Sequence, residues 1–323
     1  MLSNAPKLKI SFIISAHNRR ELVLRCLNSI FAYATQPFEV IYVDGCSTDG
    51  TVAAVIKKFP SVRVLIYDRK GVTPARNFGA RFATGDLLAF IDSDAEIAEG
   101  LTEAVRSQFT KDSEVGVLGC KIISIDDRNT IVDAGGLLSP FWTYVSRKKL
   151  KATCDSSTYV YMVVGTAFIV KKSLFLKLGG FDNDFFYGGE DNDFCWRSWM
   201  AGFKVMYLPI TVYHKGIAYK WGIGEKRSII TRRRYLFRSS IKNGLVSFFK
   251  NAEATTLLKF SPVQLVYFFL WSIKEGYPEA MFLALYDFFK DFKKTLHKRW
   301  MVKPHRKIRD SQIMKLVGTN YVY

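Results

Sequence analysis

Five consecutive apolar residues, Leu87 to Ile91, run directly into Asp92-Ser93-Asp94. An unbroken apolar run of this length suits a strand covered on both faces, as in a parallel sheet with helices on either side. In open sheets of that kind, ligands gather beyond the carboxyl ends of the strands. Two carboxylates one residue apart repel each other there, and no basic residue adjoins them in sequence. A hard divalent cation binding carboxylate oxygens, with phosphate oxygens as further ligands, would explain why the repulsion is tolerated. On its own, Asp-x-Asp is equally a solvated turn before a helix, so the rest of the chain has to decide.

The flanking sequence alternates strand-like and helix-like segments. Residues 8–15 read as a first buried strand, and 19–34 as a helix with apolar positions at Leu22, Leu24, Cys26, Leu27, Ile30 and Phe31. Residues 38–43 read as a second strand, 52–59 as a helix and 62–67 as a third strand. Thr73-Pro74 predicts an N-cap followed by proline at the first helical position. Residues 115–122 add another strand. Such alternation implies right-handed crossovers and a mostly parallel, doubly wound sheet. From 123 to 160 the pattern weakens, and polar turns with Gly135-Gly136 predict a loop or insertion over the active face. Order returns at 161–170, at a helix from Ser173 broken by Gly179-Gly180, at a helix over 190–201, and at a strand over 204–208 stopped by Pro209.

Charge divides the chain. Of the net +18, residues 1–214 carry only +3, with 25 Lys and Arg against 22 Asp and Glu. Residues 215–323 carry +15, with 22 against 7. That asymmetry points to a polyanionic partner, either membrane head groups or nucleic acid. Apolar residues Ile229, Ile230, Leu236, Phe237, Ile241, Leu245, Phe248 and Phe249 recur at helix spacing among Lys and Arg, and 278–294 repeat the style. Basic amphipathic helices with aromatic residues lie in membrane interfaces. The first helix packs on the main domain or meets a membrane with comparable weight, whereas 262–294 favours the membrane. No stretch reaches the ~18–20 apolar residues that a span requires, and the nearest, Pro262 to Ile273, contains Gln264. Residues 1–6 lead directly into a strand-like run without the apolar stretch and cleavage site of a signal peptide, so a cytoplasmic location is expected. Five scattered cysteines without a C-x-x-C pair speak against a disulfide framework or zinc site and for a reducing compartment.

Several residues can carry chemistry. Asp44 ends the second strand and is placed to accept hydrogen bonds from a base or ribose, although Ser47 or Thr48 could simply cap the next helix. Arg76, in the first turn of a helix, adds a cation where backbone N–H groups attract phosphate. Gly188-Gly189 precede Glu190-Asp191-Asn192-Asp193. Acids there are stabilised by the helix dipole in any case, and one of them could act as general base toward a hydroxyl. His214 completes a metal site if the fold returns it to Asp92 and Asp94.

In order and spacing these pieces resemble the inverting nucleotide-sugar glycosyltransferases of family 2, which have the GT-A fold. The matching segments are Ser15-Ala16-His17-Asn18-Arg19, Val43-Asp44 through Asp49-Gly50-Thr51, Gly71-Val72-Thr73-Pro74-Ala75-Arg76-Asn77-Phe78-Gly79, Asp92-Ser93-Asp94, Gly179-Gly180-Phe181-Asp182, Glu190 to Arg197, and His214. The resemblance covers roughly 8–216 and is greatest to the rhamnosyltransferase-like branch. It implies a Rossmann-like, mostly parallel twisted sheet flanked by helices over 1–216, with a nucleotide-sugar half at about 1–122 and an acceptor half at about 123–216. A basic, helical, membrane-associating extension would occupy 217–323. The roles it implies are donor binding by Ser15, His17, Asp44, Arg76 and Asp92, and Mn²⁺ or Mg²⁺ held by Asp92, Asp94 and His214. Asp191 would be the catalytic base, with Glu190 as the alternative. The Q-x-x-R-W signature of processive synthases is missing, because Leu296 stands where Gln would precede Arg299-Trp300.

The expected activity is therefore sugar transfer from a nucleotide-diphosphate sugar to an acceptor hydroxyl. The expected acceptor is a lipid-linked or cell-surface glycan precursor, met at the cytoplasmic face of a membrane through 217–323. A metal-dependent nucleotidyltransferase on a similar sheet is the alternative, but Ala16-His17-Asn18-Arg19-Arg20 is not its Gly-rich phosphate loop. A nucleic-acid binder would not need carboxylates converging on one cleft, and no nucleic-acid partner is expected.

Overall fold

A computed structural model describes residues 7–69, 71–150, 154–186, 188–215 and 226–319, with the side chains of 149–150 and 226–233 excepted. The first half alternates as expected: β1 (Ile10–Ala16), α1 (Arg20–Tyr33), β2 (Phe38–Asp44), α2 (Thr51–Lys58), β3 (Arg63–Ile66), α3 (Val72–Phe82) and β4 (Leu87–Asp92). Next come β5 (Ala95–Ile97), α4 (Leu101–Lys111) and β6 (Val115–Ser124). The weakly patterned region holds three short strands, β7 (Ile131–Asp133), β8 (Gly136–Leu138) and β9 (Tyr144–Ser146), then β10 (Thr158–Tyr159). The second half continues with β11 (Ala167–Lys171), α5 (Lys172–Lys177), α6 (Glu190–Met200) and β12 (Lys204–His214). Five helices follow: α7 (Lys226–Asn251), α8 (Ala254–Lys274), α9 (Pro278–Lys290), α10 (Phe292–Val302) and α11 (Asp310–Val317).

The main sheet runs β10-β12-β6-β11-β4-β1-β2-β3, with β5 on β12 and β7 on β6. The part β4-β1-β2-β3 is parallel, while β11 runs antiparallel between β4 and β6. Alternation of side chains along a strand explains the apolar runs. On β1, Ile10, Phe12 and Ile14 face the cluster under α1 and α4, while Ile13 faces the cluster holding α3 and α6. On β4, Leu87, Ala89 and Ile91 take the first side, and Leu88 and Phe90 the second. Helix α3 lies so close that a Cβ on Gly79 would stand 2.8 Å from both Ile13 Cγ2 and Val43 Cγ2.

Three local expectations are corrected. Thr73 is not the N-cap of α3, since the helix begins at Val72 after Gly71, and the Thr73 hydroxyl donates to Phe185 O at 2.7 Å. Pro209 does not stop the last strand. Strand β12 continues to His214, and its pairing with β6 slips between Tyr207 and Thr211, where an irregularity accommodates a residue without an N–H. The stretch from Pro262 to Ile273, read as too short to span, is part of a longer helix. Helix α8 begins eight residues earlier and holds Pro262 inside it, which makes it, by length and composition alone, long and apolar enough to cross a membrane.

The C-terminal helices are tied to the sheet domain by buried charge. Lys250 Nζ on α7 lies 2.8 Å from both Asp182 and Asp193, and all three side chains are buried. Asn251 Nδ2 donates to Asp193 at 2.8 Å, and Arg197 Nε to the same carboxylate at 2.9 Å. Lys298 on α10 pairs with Asp182 and Asp184. Burial alone would raise the carboxyl of Asp182, but Lys250 and Lys298 overcome it and hold the pKa far below the ordinary range. Phe185 packs with Ile241, Leu245, Met281 and Phe288 in a third apolar cluster. The packing reading of α7 is therefore the one observed for its described side chains, while the boundary expected at 216–217 lies outside the described residues.

Candidate active site

Strand register gathers the predicted residues. In the parallel ladder Ser15 stands opposite Asp92, and Ala16 opposite Asp44, so three strands end at one level. Strand β12 brings His214 beside Ala95 through its pairing with β5, and Lys215 N donates to Asp94 O at 3.0 Å. As a result His214 Nε2 lies 3.2 Å from Asp94 Oδ1 and 3.9 Å from Asp92 Oδ2. One ligand atom from each of Asp92, Asp94 and His214 falls within 4.8 Å of the others. Two carboxylate oxygens and an imidazole nitrogen suit Mn²⁺, and the oxygens suit Mg²⁺, so these residues fit a divalent cation. Burial disfavours charge on His214, yet its hydrogen bond to Asp94 and both carboxylate charges outweigh it and raise its pKa.

A second pair of carboxylates faces this cluster across Arg76. The buried guanidinium donates from Nη2 to Asp92 Oδ1 and to Gly165 O, both at 2.7 Å, and from Nη1 to Glu190 Oε1 at 3.3 Å. Rather than lying open to phosphate, Arg76 joins the strand-end acid to the acid that opens α6. Gly165 completes the clamp: its N–H donates to Asp191 Oδ2 at 2.9 Å, and a Cβ there would stand 2.9 Å from Arg76 Nη1. Asp191 Oδ1 also accepts from Asn192 N at 2.8 Å. Burial raises the Asp191 carboxyl, with these N–H donors and Arg76 opposing it. Glu190 is pushed up to about 7 by burial first and the charge of Asp191 second, and its Oε2 is buried without a partner.

Asp44 and His17 shape the neighbouring turn. Asp44 is fully buried and accepts from Tyr42 Oη at 2.6 Å and Ser47 N at 2.7 Å. His17 Nδ1 donates to Gly45 O at 2.7 Å and stands exposed above the ends of β1 and β2. A cavity of about 320 Å³ opens farther along α3, lined by Tyr67, Asp68, Arg69, Asn77 and Arg81, but none of the metal-cluster residues reaches it.

Three contributors carried no signal of their own in the sequence. Arg19 Nη1 lies 3.6 Å from Asp94 Oδ2 and is the cation missing from the vicinity of Asp-Ser-Asp in the linear chain. Gly165 sits in a stretch that reads as ordinary strand. Asp133, on the hairpin region over the site, accepts from Tyr144 Oη at 3.0 Å. Burial raises its carboxyl, and the charge of Asp191 adds to the effect.

The profile described as Glycosyl transferase family 2 matches residues 11–179, over half the chain. The chain belongs to glycosyl transferase family 2. A second profile, described as the N-terminal domain of galactosyltransferase, matches 148–219 and so takes in Gly165, Glu190, Asp191 and His214. Polypeptide N-acetylgalactosaminyltransferase 5 of Caenorhabditis elegans is 28% identical over 245 residues, covering 67% of this chain and 39% of that protein. This chain thus spans about two fifths of that relative's length. Among solved structures, GalNAc-T7 with UDP, GalNAc and Mn²⁺ aligns with a TM-score of 0.59 at 19% identity, covering 85% of this chain and 59% of that one. The mannosyltransferase PcManGT of Pyrobaculum calidifontis, with GDP-Man and Mn²⁺, aligns at 0.57 and 19%, covering 90% and 76%. These likenesses bear out the GT-A fold expected from the sequence.

Proposed function

We propose that this family 2 protein is an inverting, metal-dependent glycosyltransferase that moves a sugar from a nucleotide-diphosphate sugar to the hydroxyl of a glycan or lipid-linked acceptor. The observation that carries the reading is the pairing of two acidic centres across Arg76: the Asp92–Asp94–His214 cluster at the strand ends, and Glu190–Asp191 at the start of α6. Asp92, Asp94 and His214 would hold Mn²⁺ or Mg²⁺, which supplies charge stabilisation for a departing diphosphate.

Asp191 takes the proton of the acceptor hydroxyl. The acceptor oxygen bonds to the anomeric carbon from the face opposite the diphosphate, whose bond breaks and leaves with its electron pair, so the configuration inverts. Gly165 N–H and the N–H of Asn192 fix the Asp191 carboxylate in place, and Arg76 keeps Glu190 and Asp92 at a set separation. Ser15 and His17, at the open ends of β1, and the turn anchored by Asp44 stand on the donor side. Asp133 and Tyr144 stand on the acceptor side.

The two solved neighbours, one bound to UDP and GalNAc and the other to GDP-Man, support a nucleotide-sugar donor. A panel of UDP-, GDP- and dTDP-sugars tested for thermal stabilisation with and without Mn²⁺ checks the reading. One donor is expected to raise Tm only with the metal present, and a panel without effect under either condition would overturn it.

A further inference from the structure

Helices α8 and α9 form an antiparallel pair whose two faces differ sharply. The inner face is held by protein. On α8, Gln264 Nε2 donates to Phe141 O at 3.1 Å and Trp142 O at 2.8 Å, and Thr256, Phe268 and Ser272 are buried along the same stripe. On α9, Ala280, Met281, Ala284 and Phe288 are buried in the cluster that also holds Phe185. The outer face is apolar and open. Val266, Leu270 and Ile273 of α8, with Phe282, Tyr286 and Phe289 of α9, are 50–66% exposed. Phe269 and Phe282 touch across the pair, with ring centroids 6.2 Å apart, so the two stripes are continuous.

The rim of this face is mainly basic. Lys259, Lys274, Lys290 and Lys293 are exposed around it, beside Glu275 and Asp291. Two other acids of α9 are already bound, Glu279 by Arg234 at 2.9 Å and Asp287 by Arg238 at 2.5 Å. An open apolar stripe with aromatic residues and a lysine rim is complementary to an anionic bilayer surface. Two copies of the same face would oppose lysine to lysine.

We propose that the outer face of α8 and α9 docks on an anionic lipid bilayer, with both helices lying in the head-group region. Helix α8 has the length and composition of a span, but its Gln264 side is fastened to the β8–β9 segment and its Phe268 side to α7, where the ring abuts Gly244. A helix gripped along one face by a soluble domain is not free to be surrounded by acyl chains. Interfacial docking satisfies both faces at once. Docking of this face is independent of which sugar the strand-end site transfers.

The test is flotation of the full chain with vesicles of phosphatidylglycerol mixed with phosphatidylcholine, against vesicles of phosphatidylcholine alone. The protein is expected to float with the anionic vesicles, less with the neutral ones, and less as salt rises. The triple variant Leu270→Glu, Phe282→Glu, Phe289→Glu should lose at least about tenfold in vesicle binding while keeping its Tm, because these side chains are on the surface. The variant Lys259→Glu, Lys274→Glu, Lys290→Glu should lose the preference for anionic vesicles with its apolar face intact. The proposal is overturned by a wild-type chain that stays off anionic vesicles, a triple-glutamate variant that floats like wild type, or a wild-type dimer that the same variant dissociates. Resistance of vesicle-bound protein to alkaline carbonate would contradict interfacial docking and favour a span.

Discussion

Asp191 and Glu190 are adjacent in sequence but are held differently. Asp191 accepts two backbone N–H groups, whereas Glu190 shares one oxygen with Arg76 and leaves the other buried and unpartnered. A base must be ionised, so kcat/KM should rise with pH as Asp191 loses its proton, with a midpoint above the ordinary carboxyl value of about 4. Asp191→Asn should lower kcat by about 10²–10⁴-fold while leaving donor-induced stabilisation intact. Glu190→Gln removes a neighbouring negative charge and frees Arg76 to act on Asp191, so the acid limb should move to lower pH. If Glu190→Gln instead abolishes turnover and Asp191→Asn does not, the roles are reversed. At the metal cluster, Asp94→Asn removes one of three donors and should weaken Mn²⁺ activation by at least about tenfold, read as the Mn²⁺ concentration giving half-maximal rate.

Among the elements, the strands of the donor half were legible because their unbroken apolar runs leave few other structures. Their acids followed from strand ends in a parallel register. The join between Asp94 and His214 was not legible from local pattern, because it depends on β12 passing Pro209 and reaching β5, and only the family resemblance pointed to it. Pro209 was read as a strand stop, and there the pairing of β12 with β6 and β5 outweighed local preference. Lys250 was equally hidden. It read as one more cation in a basic tail, whereas it neutralises Asp182 and Asp193. Removing one partner from such a buried network strands the others, so Lys250→Met should destabilise by ~3–5 kcal/mol in chemical denaturation at neutral pH. The sign with pH follows from the lowered pKa values of both acids. Their contribution is present above the unfolded carboxyl value and lost as pH falls through the folded one, so the gap between wild type and Lys250→Met should narrow in acid.

For the molecule as a whole, described cations of the last third fall into distinct settings. Lys250, Lys294 and Lys298 pair with acids of the sheet domain, Arg234 and Arg238 with acids of α9, and Lys259, Lys274, Lys290 and Lys293 stand exposed around the open α8–α9 face. The sequence showed the excess without this division, because only the fold reveals which cations meet an internal acid. The expected rhamnosyltransferase-like branch stays an expectation, because the motifs that suggested it lie at the strand ends, whereas the short hairpins between β6 and β11 fall where pattern is weakest. The central claim is that Asp92, Asp94 and His214 present a metal to a nucleotide-sugar donor while Asp191 serves the acceptor side. The most direct measurement is donor cleavage with Mn²⁺, followed by NMR of the anomeric proton of the released or transferred sugar. The account predicts metal-dependent release of the nucleoside diphosphate with inverted configuration, lost in EDTA and in Asp94→Asn. Cleavage undiminished in both, or retention of configuration, would contradict it.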